Sequence, residues 1–352
     1  MNSQSIQTET INQSEVMSET PPRYAGLDIL KCLAAYMVVV IHFGHWDSTS
    51  ELDILLGGVF NAETRFAVPV FFMITGYFYP SIIKRGRFKG HLLKIVSMTL
   101  FATLFYFCFN VLFYSLNGGN AEEYLAKVFS LRHLFGWVLI NSVPVEIHLW
   151  YFYAVIYALV VLYLADRLHL QRHLYIFSLV ALVVCVCVNF TPYTGYCRNF
   201  LFMGLPFICL GRLIGESKHV SFILNLSSRY LWGVFLVSII LVGLDYMFFS
   251  VVIGKTFVRE CYLFTCFVAL SLFVLALKYN SHPNKLERVF SLIGKKYSAY
   301  IFIFHIACGK IILCLMDAND LLSRYLVLIP LIFISSLLLA IIYVELKSVI
   351  SQ

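Results

Sequence analysis

Charge is scarce in this chain. Only 13% of its 352 residues are Asp, Glu, Lys or Arg, about half the share of a soluble domain. No polar stretch is long enough to form a second, soluble domain. The ten cysteines include no C-x-x-C pair, so neither a zinc knuckle nor a dithiol motif is indicated. Most of them, including Cys108, Cys185, Cys187, Cys209, Cys266 and Cys314, sit in apolar runs and read as small hydrophobes. Cys197, in a polar connection, is the exception and has no obvious partner in sequence. There is no Walker or dinucleotide glycine pattern, no H-E-x-x-H and no internal repeat. Residues 1–23 lack the basic start, short apolar core and small-residue cleavage site of a signal peptide. The net charge of +7 is spread over short loops, which argues against nucleic acid and for membrane orientation.

What the chain has in abundance is apolar surface. Residues are 60% hydrophobic and 16% aromatic. Apolar runs of about 17–24 residues, the length that spans a bilayer, recur over 26–44, 66–83, 92–116, 148–165, 174–190, 200–216, 230–249, 261–277, 297–316 and 325–346. The expectation is an all-α, polytopic transmembrane helical bundle of about ten spans, as one domain over residues 24–347. Before it, residues 1–23 are rich in Ser, Thr, Gln, Asn and Glu and end in Pro21-Pro22-Arg23, and read as a disordered cytoplasmic tail. The first span then acts as an uncleaved anchor. Loops after even-numbered spans are the more basic, with Lys84, Arg85, Arg87 and Lys89 after the second and Lys278, Lys285, Arg288, Lys295 and Lys296 after the eighth. That bias places both termini in the cytoplasm. The longest outer connection, 117–147, holds the amphipathic stretch "AEEYLAKVFSLRHLFGWVL", suited to lying at the interface or to capping an outer cavity.

The first span, "GLDILKCLAAYMVVVIHFGHW", contains Asp28, Lys31 and His42, costly groups for a membrane helix. Lys31 and His42 are eleven residues apart. Eleven steps of about 100° come to three turns plus roughly 20°, so the two side chains share a face, about 16 Å apart along the axis. With the N-terminus inside, a cation lies toward the cytoplasm and an imidazole toward the outside. The plainer alternatives are a lysine that snorkels to the inner headgroups and an interfacial histidine beside His45 and Trp46. Two imidazoles at His42 and His45 without placed acidic or Cys ligands give no metal site.

Further pieces follow in chain order. "LDILKCLAAYMVVVIH" is similar to the opening helix of the membrane acyltransferase-3 family, which commonly shows Arg, ten residues, then His. "VPVFFMITGYF" (Val68–Phe78), "HLWYFYAVIYAL" (His148–Leu159), "RNFLFMGLPFICLG" (Arg198–Gly211) and "GKKYSAYIFIFH" (Gly294–His305) resemble four later motifs of that family. The resemblance covers residues 24–346. Departures are Lys31 in the place of Arg, Thr75 in the place of Ser, and "HLLK" (His91–Lys94) where an Arg-x-x-Arg is often found.

The resemblance implies transfer of an acyl group, usually acetyl, to a hydroxyl of a cell-envelope glycan or its lipid-linked precursor, in the bacterial cytoplasmic membrane. The co-substrate would be acyl-CoA, with no permanently bound cofactor. It points to free-standing O-acetyltransferases without an SGNH domain. The same fold forms the membrane part of serine racemases, so a transporter or export subunit for a small polar solute is the rival reading. On the enzymatic reading His42 is the general base. Lys31, Arg85, Arg87 and Lys94 are candidates for the CoA phosphates, and His148, Arg198 and His305 for acceptor binding or oxyanion support. Each also has a structural alternative. The basic cluster is a topology signal, His148 belongs to an aromatic belt, Arg198 is a loop charge, and His305 is a mid-span histidine with a buried partner.

The loop charges make a direct prediction. Reporter fusions at Asn117 and Ser281 should report outside and inside respectively. The reverse at either position would break the assigned depths of Lys31 and His42.

Overall fold

A computed structural model describes residues 24–44, 50–191, 193–254, 258–279 and 283–350, apart from the side chains of 217–220. The tail 1–23, His45, Trp46 and Ser281 lie outside the described residues. The described chain is an all-α bundle. Its helices are α1 (Ala25–Phe43), α2 (Glu51–Thr64), α3 (Ala67–Lys84), α4 (Phe88–Leu116), α5 (Ala121–Val128), α6 (Leu131–Ile140), α7 (Trp150–Arg167) and α8 (Gln171–Val188). They continue with α9 (Leu205–Gly215), α10 (Ser217–Asn225), α11 (Ser228–Val251), α12 (Thr265–Lys278), α13 (Lys285–Lys296), α14 (Ser298–Leu315), the single turn α15 (Leu321–Ser323) and α16 (Ile329–Ile350). Among the described residues, 8 helical stretches are long and apolar enough to cross a membrane. This is a multi-pass membrane protein.

All ten expected spans fall on helices, but two are short. Phe200–Gly215 opens as a π-turn, with the Asn199 side chain capping Leu201 and Phe202 N–H groups at 2.8 and 3.0 Å. Helix α12 has 14 residues, about 21 Å of rise against a hydrocarbon core of about 30 Å. The expected start of that span at residue 261 is corrected to Thr265. The preceding segment, 258–264, is irregular yet contains buried Arg259, Cys261 and Tyr262. Such backbone is tolerated away from water only where protein groups satisfy it. Asn189 Oδ1 accepts from the N–H groups of Glu260 and Cys261 (2.8 and 3.1 Å), and Thr265 Oγ1 accepts from that of Tyr262 (3.0 Å).

Helix α1 is the hub. It packs against α2, α3, α12, α13, α14 and α16, and 61% of its membrane-length window is buried, against 22% for α4 and 17% for α8. The latter two turn Leu, Val and Phe outward, as helices facing lipid do. Among the helices not foreseen, two pack on α1. Helix α2, in a stretch diluted by Gly57, Gly58, Asn61 and Glu63, starts at Ser50, whose Oγ accepts from Asp53 N–H. Helix α13, expected as basic loop, is amphipathic and begins with a capping box between Asn284 and Glu287.

Backbone meets backbone at several seams, two of which involve α3 with α9 and α13 with α1. On α3 and α9, a Cβ at Gly76 would lie 2.0 Å from Ile208 O, and one at Gly211 2.0 Å from Met73 O. On α13, a Cβ at Gly294 would lie 1.7 Å from Asp28 O of α1. Small residues thus set close helix crossings. Gly211→Ala should cost about 1–3 kcal/mol, read as a lower Tm in detergent, while Gly233→Ala, in open space, should be neutral. Equal Tm values for Gly211→Ala and wild type would show that α3 and α9 can part without cost.

Candidate active site

The last turn of α1 presents His42 and leaves carbonyls that no further helix turn can pair. Side chains from distant elements take them. Asn61 Nδ2 donates to Ile41 O (2.7 Å), Arg324 Nη1 to Phe43 O (3.1 Å), and Tyr325 OH to Gly44 O (3.0 Å). These contacts fix the height and rotation of His42.

Two further imidazoles meet it. The His42 ring centroid lies 5.0 Å from that of His305 and 6.2 Å from that of His148, and the latter two are 5.1 Å apart. His305 comes from the middle of α14, and its Nδ1 pairs with Phe302 O at 2.8 Å. With Nδ1 as donor to a carbonyl, Nε2 is left as an acceptor. His148 sits on a single 3-10 turn, Ile147–Leu149, leading into α7. His148 and His305 are buried. Both ring nitrogens of His148 and Nε2 of His305 are without a hydrogen-bond partner of good geometry among the described residues. Buried polar atoms in that state call for a ligand or water. No group of three or more His, Cys, Asp or Glu suited to a metal ion occurs among the described residues.

Cavities lie on either side of a wall. One, of about 200 Å³, is lined by His42, His148, Arg65, Arg198, Glu260, Trp150 and Phe302. It adjoins a vestibule of about 330 Å³ that shares Ile147, Trp150 and Arg198 and adds Ser142, Tyr193 and Tyr196. The other, of about 300 Å³, is lined by Lys31, His91, Lys295, Thr75 and Ser298, with Phe71, Phe78, Tyr151 and Phe302. Phe302 lines both. Its ring lies 5.1 Å from that of Tyr151 and 5.7 Å from those of His148 and His305.

The structure therefore brings His42, His148 and His305 together and puts Arg198 in the same cavity. Lys31 lines the opposite cavity and is ion-paired with Asp28 at 3.0 Å. Arg85, Arg87 and Lys94 are exposed and do not line it; His91 and Lys295 do. Four ionisable residues at the site were missed in the sequence. Arg65 and Glu260 pair at 2.9 Å, and Lys310 pairs with Glu146 at 2.5 Å. Lys310 was the findable one: a lysine inside the apolar "IFIFHIACGKIILCL" is a functional signal by itself. The others needed their partners, which are far away in sequence.

The Lys310 pair anchors the histidines. Lys310 stands on the helix of His305, and Glu146 two residues before His148. Asn110 of α4 accepts from Lys310 at 2.9 Å and donates to Val145 O at 2.9 Å. Tyr106, also of α4, packs its ring 4.7 Å from that of His148 and receives the Ala307 N–H at 3.2 Å.

A multi-pass helical bundle with a cluster of three histidines beside the wall between two cavities is the class that fold and site define. The chain belongs to the acyltransferase-3 family, whose acyltransferase-domain model matches residues 24–345. It is also 33% identical over 139 residues to an amino-acid racemase of Enterococcus faecalis, a match covering 37% of this chain and 18% of that protein. The chain thus spans less than a fifth of the length of that curated relative. No solved structure matches.

Lys310→Ala should destabilise by about 1.5–3 kcal/mol, the worth of a hydrogen bond to a charged group. Lys310→Ala combined with Glu146→Gln should lose less than the sum of the single variants. Additive losses in detergent unfolding would show that the pair is not an energetic unit.

Proposed function

We propose that this acyltransferase moves an acetyl or closely related acyl group from acyl-CoA to a hydroxyl of a cell-envelope glycan or its lipid-linked precursor, in the bacterial cytoplasmic membrane. The supporting observation is the placement of His42, His148 and His305 beside the Phe302 wall, with a cavity of cationic and aromatic lining on one side and one of arginine and carboxylate lining on the other.

On this reading the CoA phosphates lie near Lys31 and Lys295, with Arg85, Arg87 and Lys94 drawing the anion from the surface. The pantetheine arm enters between Phe78, Phe71 and Tyr151. Movement of the Phe302 side chain brings the thioester to the histidines. The acceptor hydroxyl comes from the Arg198 side. His42 takes its proton as the oxygen bonds to the thioester carbonyl carbon. The tetrahedral oxyanion receives a hydrogen bond from an imidazole N–H, for which buried His148 is the candidate. Collapse breaks the carbon–sulfur bond, and the proton held by His42 passes to the departing CoA thiolate. His305, with Nδ1 tied to Phe302 O, sets the orientation of its neighbours. The aromatic lining keeps water from the thioester.

His42→Ala should reduce transfer of radiolabel from acetyl-CoA to an envelope fraction by about 10²–10⁴-fold, the usual weight of a general base, with normal membrane insertion. Near-normal transfer would remove the assigned role. Lys31→Ala should raise the KM for acyl-CoA about tenfold with kcat little changed, the signature of lost uniform binding, and Lys31→Arg should retain wild-type affinity. An unchanged KM in Lys31→Ala would leave this lysine a structural partner of Asp28.

A further inference from the structure

The charges in the histidine cavity are paired in an unusual proportion. Glu260 meets two arginines at once: Arg65 Nη1 at 2.9 Å from Oε2, and Arg198 Nε at 3.3 Å from Oε1. The side chains are 12%, 30% and 13% exposed for Arg65, Arg198 and Glu260. Two guanidinium groups and one carboxylate leave one uncompensated positive charge, beside neutral walls of Val, Ile, Met, Trp and Phe. A net charge out of bulk water is costly unless something completes the pair.

The carboxylate is held too firmly to be a mobile counter-ion. The Glu260 N–H is tied to Asn189 Oδ1. Its neighbour Arg259, 2% exposed, pairs with Asp245 at 2.8 Å and stacks on Phe249 and Tyr262 at 4.4 and 4.3 Å. Arg65 is held as well, through Nε to Asn61 Oδ1 at 3.0 Å, and Asn61 in turn grips the carbonyl before His42. Arg65 Nη2 and both Nη groups of Arg198 have no protein partner among the described residues.

We propose that Arg65, Arg198 and Glu260 form a subsite for a monoanionic group carried by the acceptor, a sugar carboxylate or a phosphodiester next to the sugar that is modified. This rests on reading the Arg198 side as the acceptor's. The built-in charge of +1 matches one negative charge and not the several of CoA or a pyrophosphate. Planar guanidinium forks suit both oxyanions. The cavity of about 200 Å³ is below the usual range for a drug-sized ligand, about 300–1,000 Å³, and so fits one ring with its anionic group. The ring has Trp150 beside it, and Tyr193 and Tyr196 stand exposed at the vestibule, amphipathic surfaces suited to a glycan. Asn61 links the subsite to the turn of His42, so anion binding and base placement are mechanically joined.

Binding to the purified full chain in nanodiscs tests this without chemistry. The probes are methyl β-glucuronoside, glucose 1-(methyl phosphate), methyl β-glucoside and glucose 1-phosphate, read by tryptophan fluorescence and melting temperature. The two monoanions should bind at least tenfold tighter than the neutral glucoside, and the tighter of them identifies the source of the charge. Arg198→Gln, at the cavity rim, should abolish that preference, and Arg65→Gln should do the same. Glu260→Gln, which raises the subsite charge to +2, should shift preference at least tenfold toward the glucose 1-phosphate dianion. Equal binding of neutral and anionic glycosides, no binding of any probe, or an unchanged preference in Arg198→Gln would overturn the subsite. Anion-selective binding that persists in a chain without transfer activity would instead overturn the catalytic reading and leave the subsite standing.

Discussion

A helix that ends inside a protein must find donors for its last carbonyls, and everything at this site depends on how α1 solves that problem. In water the final turn would be solvated. Here it is surrounded by packed helices, and the donors come from Asn61, Arg324 and Tyr325, residues spread over almost the whole chain. Each donor ties another element to the turn carrying His42: α2 through Asn61, and the start of the last helical stretch through Arg324 and Tyr325. The histidine is therefore oriented by backbone hydrogen bonding at its own helix end. Proper placement of His42 and closure of the bundle around α1 are one event.

The ionic pairs obey a similar logic. Arg212 with Asp166, Arg65 with Glu260 and Lys310 with Glu146 each join segments distant in sequence, and Arg259 with Asp245 ties the connection after α11 back to that helix. Such pairs are weak grounds for stability, because desolvation offsets most of the attraction. What they supply is register. An apolar helix slides or rotates against lipid-like neighbours at little cost, whereas a guanidinium that must find its carboxylate fixes both. Tyr79 completes the Arg212 pair by donating to Asp166 at 2.7 Å, so α3, α7 and α9 share one lock at the end of the bundle away from the histidines.

Much of this was legible in the sequence. Each apolar run read from hydropathy falls on a helix, 8 helical stretches among the described residues being long enough to cross a membrane, and the eleven-residue spacing put Lys31 and His42 on one face of one helix, where they line opposite cavities. What could not be read has a common cause. Helix α2 and the segment 258–264 are stabilised by tertiary partners rather than by local propensity, and Glu260 stands 195 residues from Arg65. Helix α13 was hidden by its composition: a run of Lys and Arg in a short connection reads as loop until its capping box and the bare backbone of Gly294 are set against α1. Lys310 is different, for its signal was present. A cation in the middle of an apolar run should be treated as a site, and here it holds the segments of two histidines in place.

One feature of α14 has a mechanical consequence. Phe302 is the wall between the cavities, and its carbonyl also holds the His305 ring. The wall is thus a leaf hung on a post, and the post is bolted to the histidine cluster. Passage between the chambers has to come from swinging the leaf about its own side-chain torsions, since moving the post would unseat the imidazole. On the proposed mechanism, leak-tightness toward solutes and alignment for proton transfer are in this way a single tolerance. On the same mechanism, a substitution that loosened the backbone near Phe302 would make the protein at once a poorer seal and a poorer catalyst.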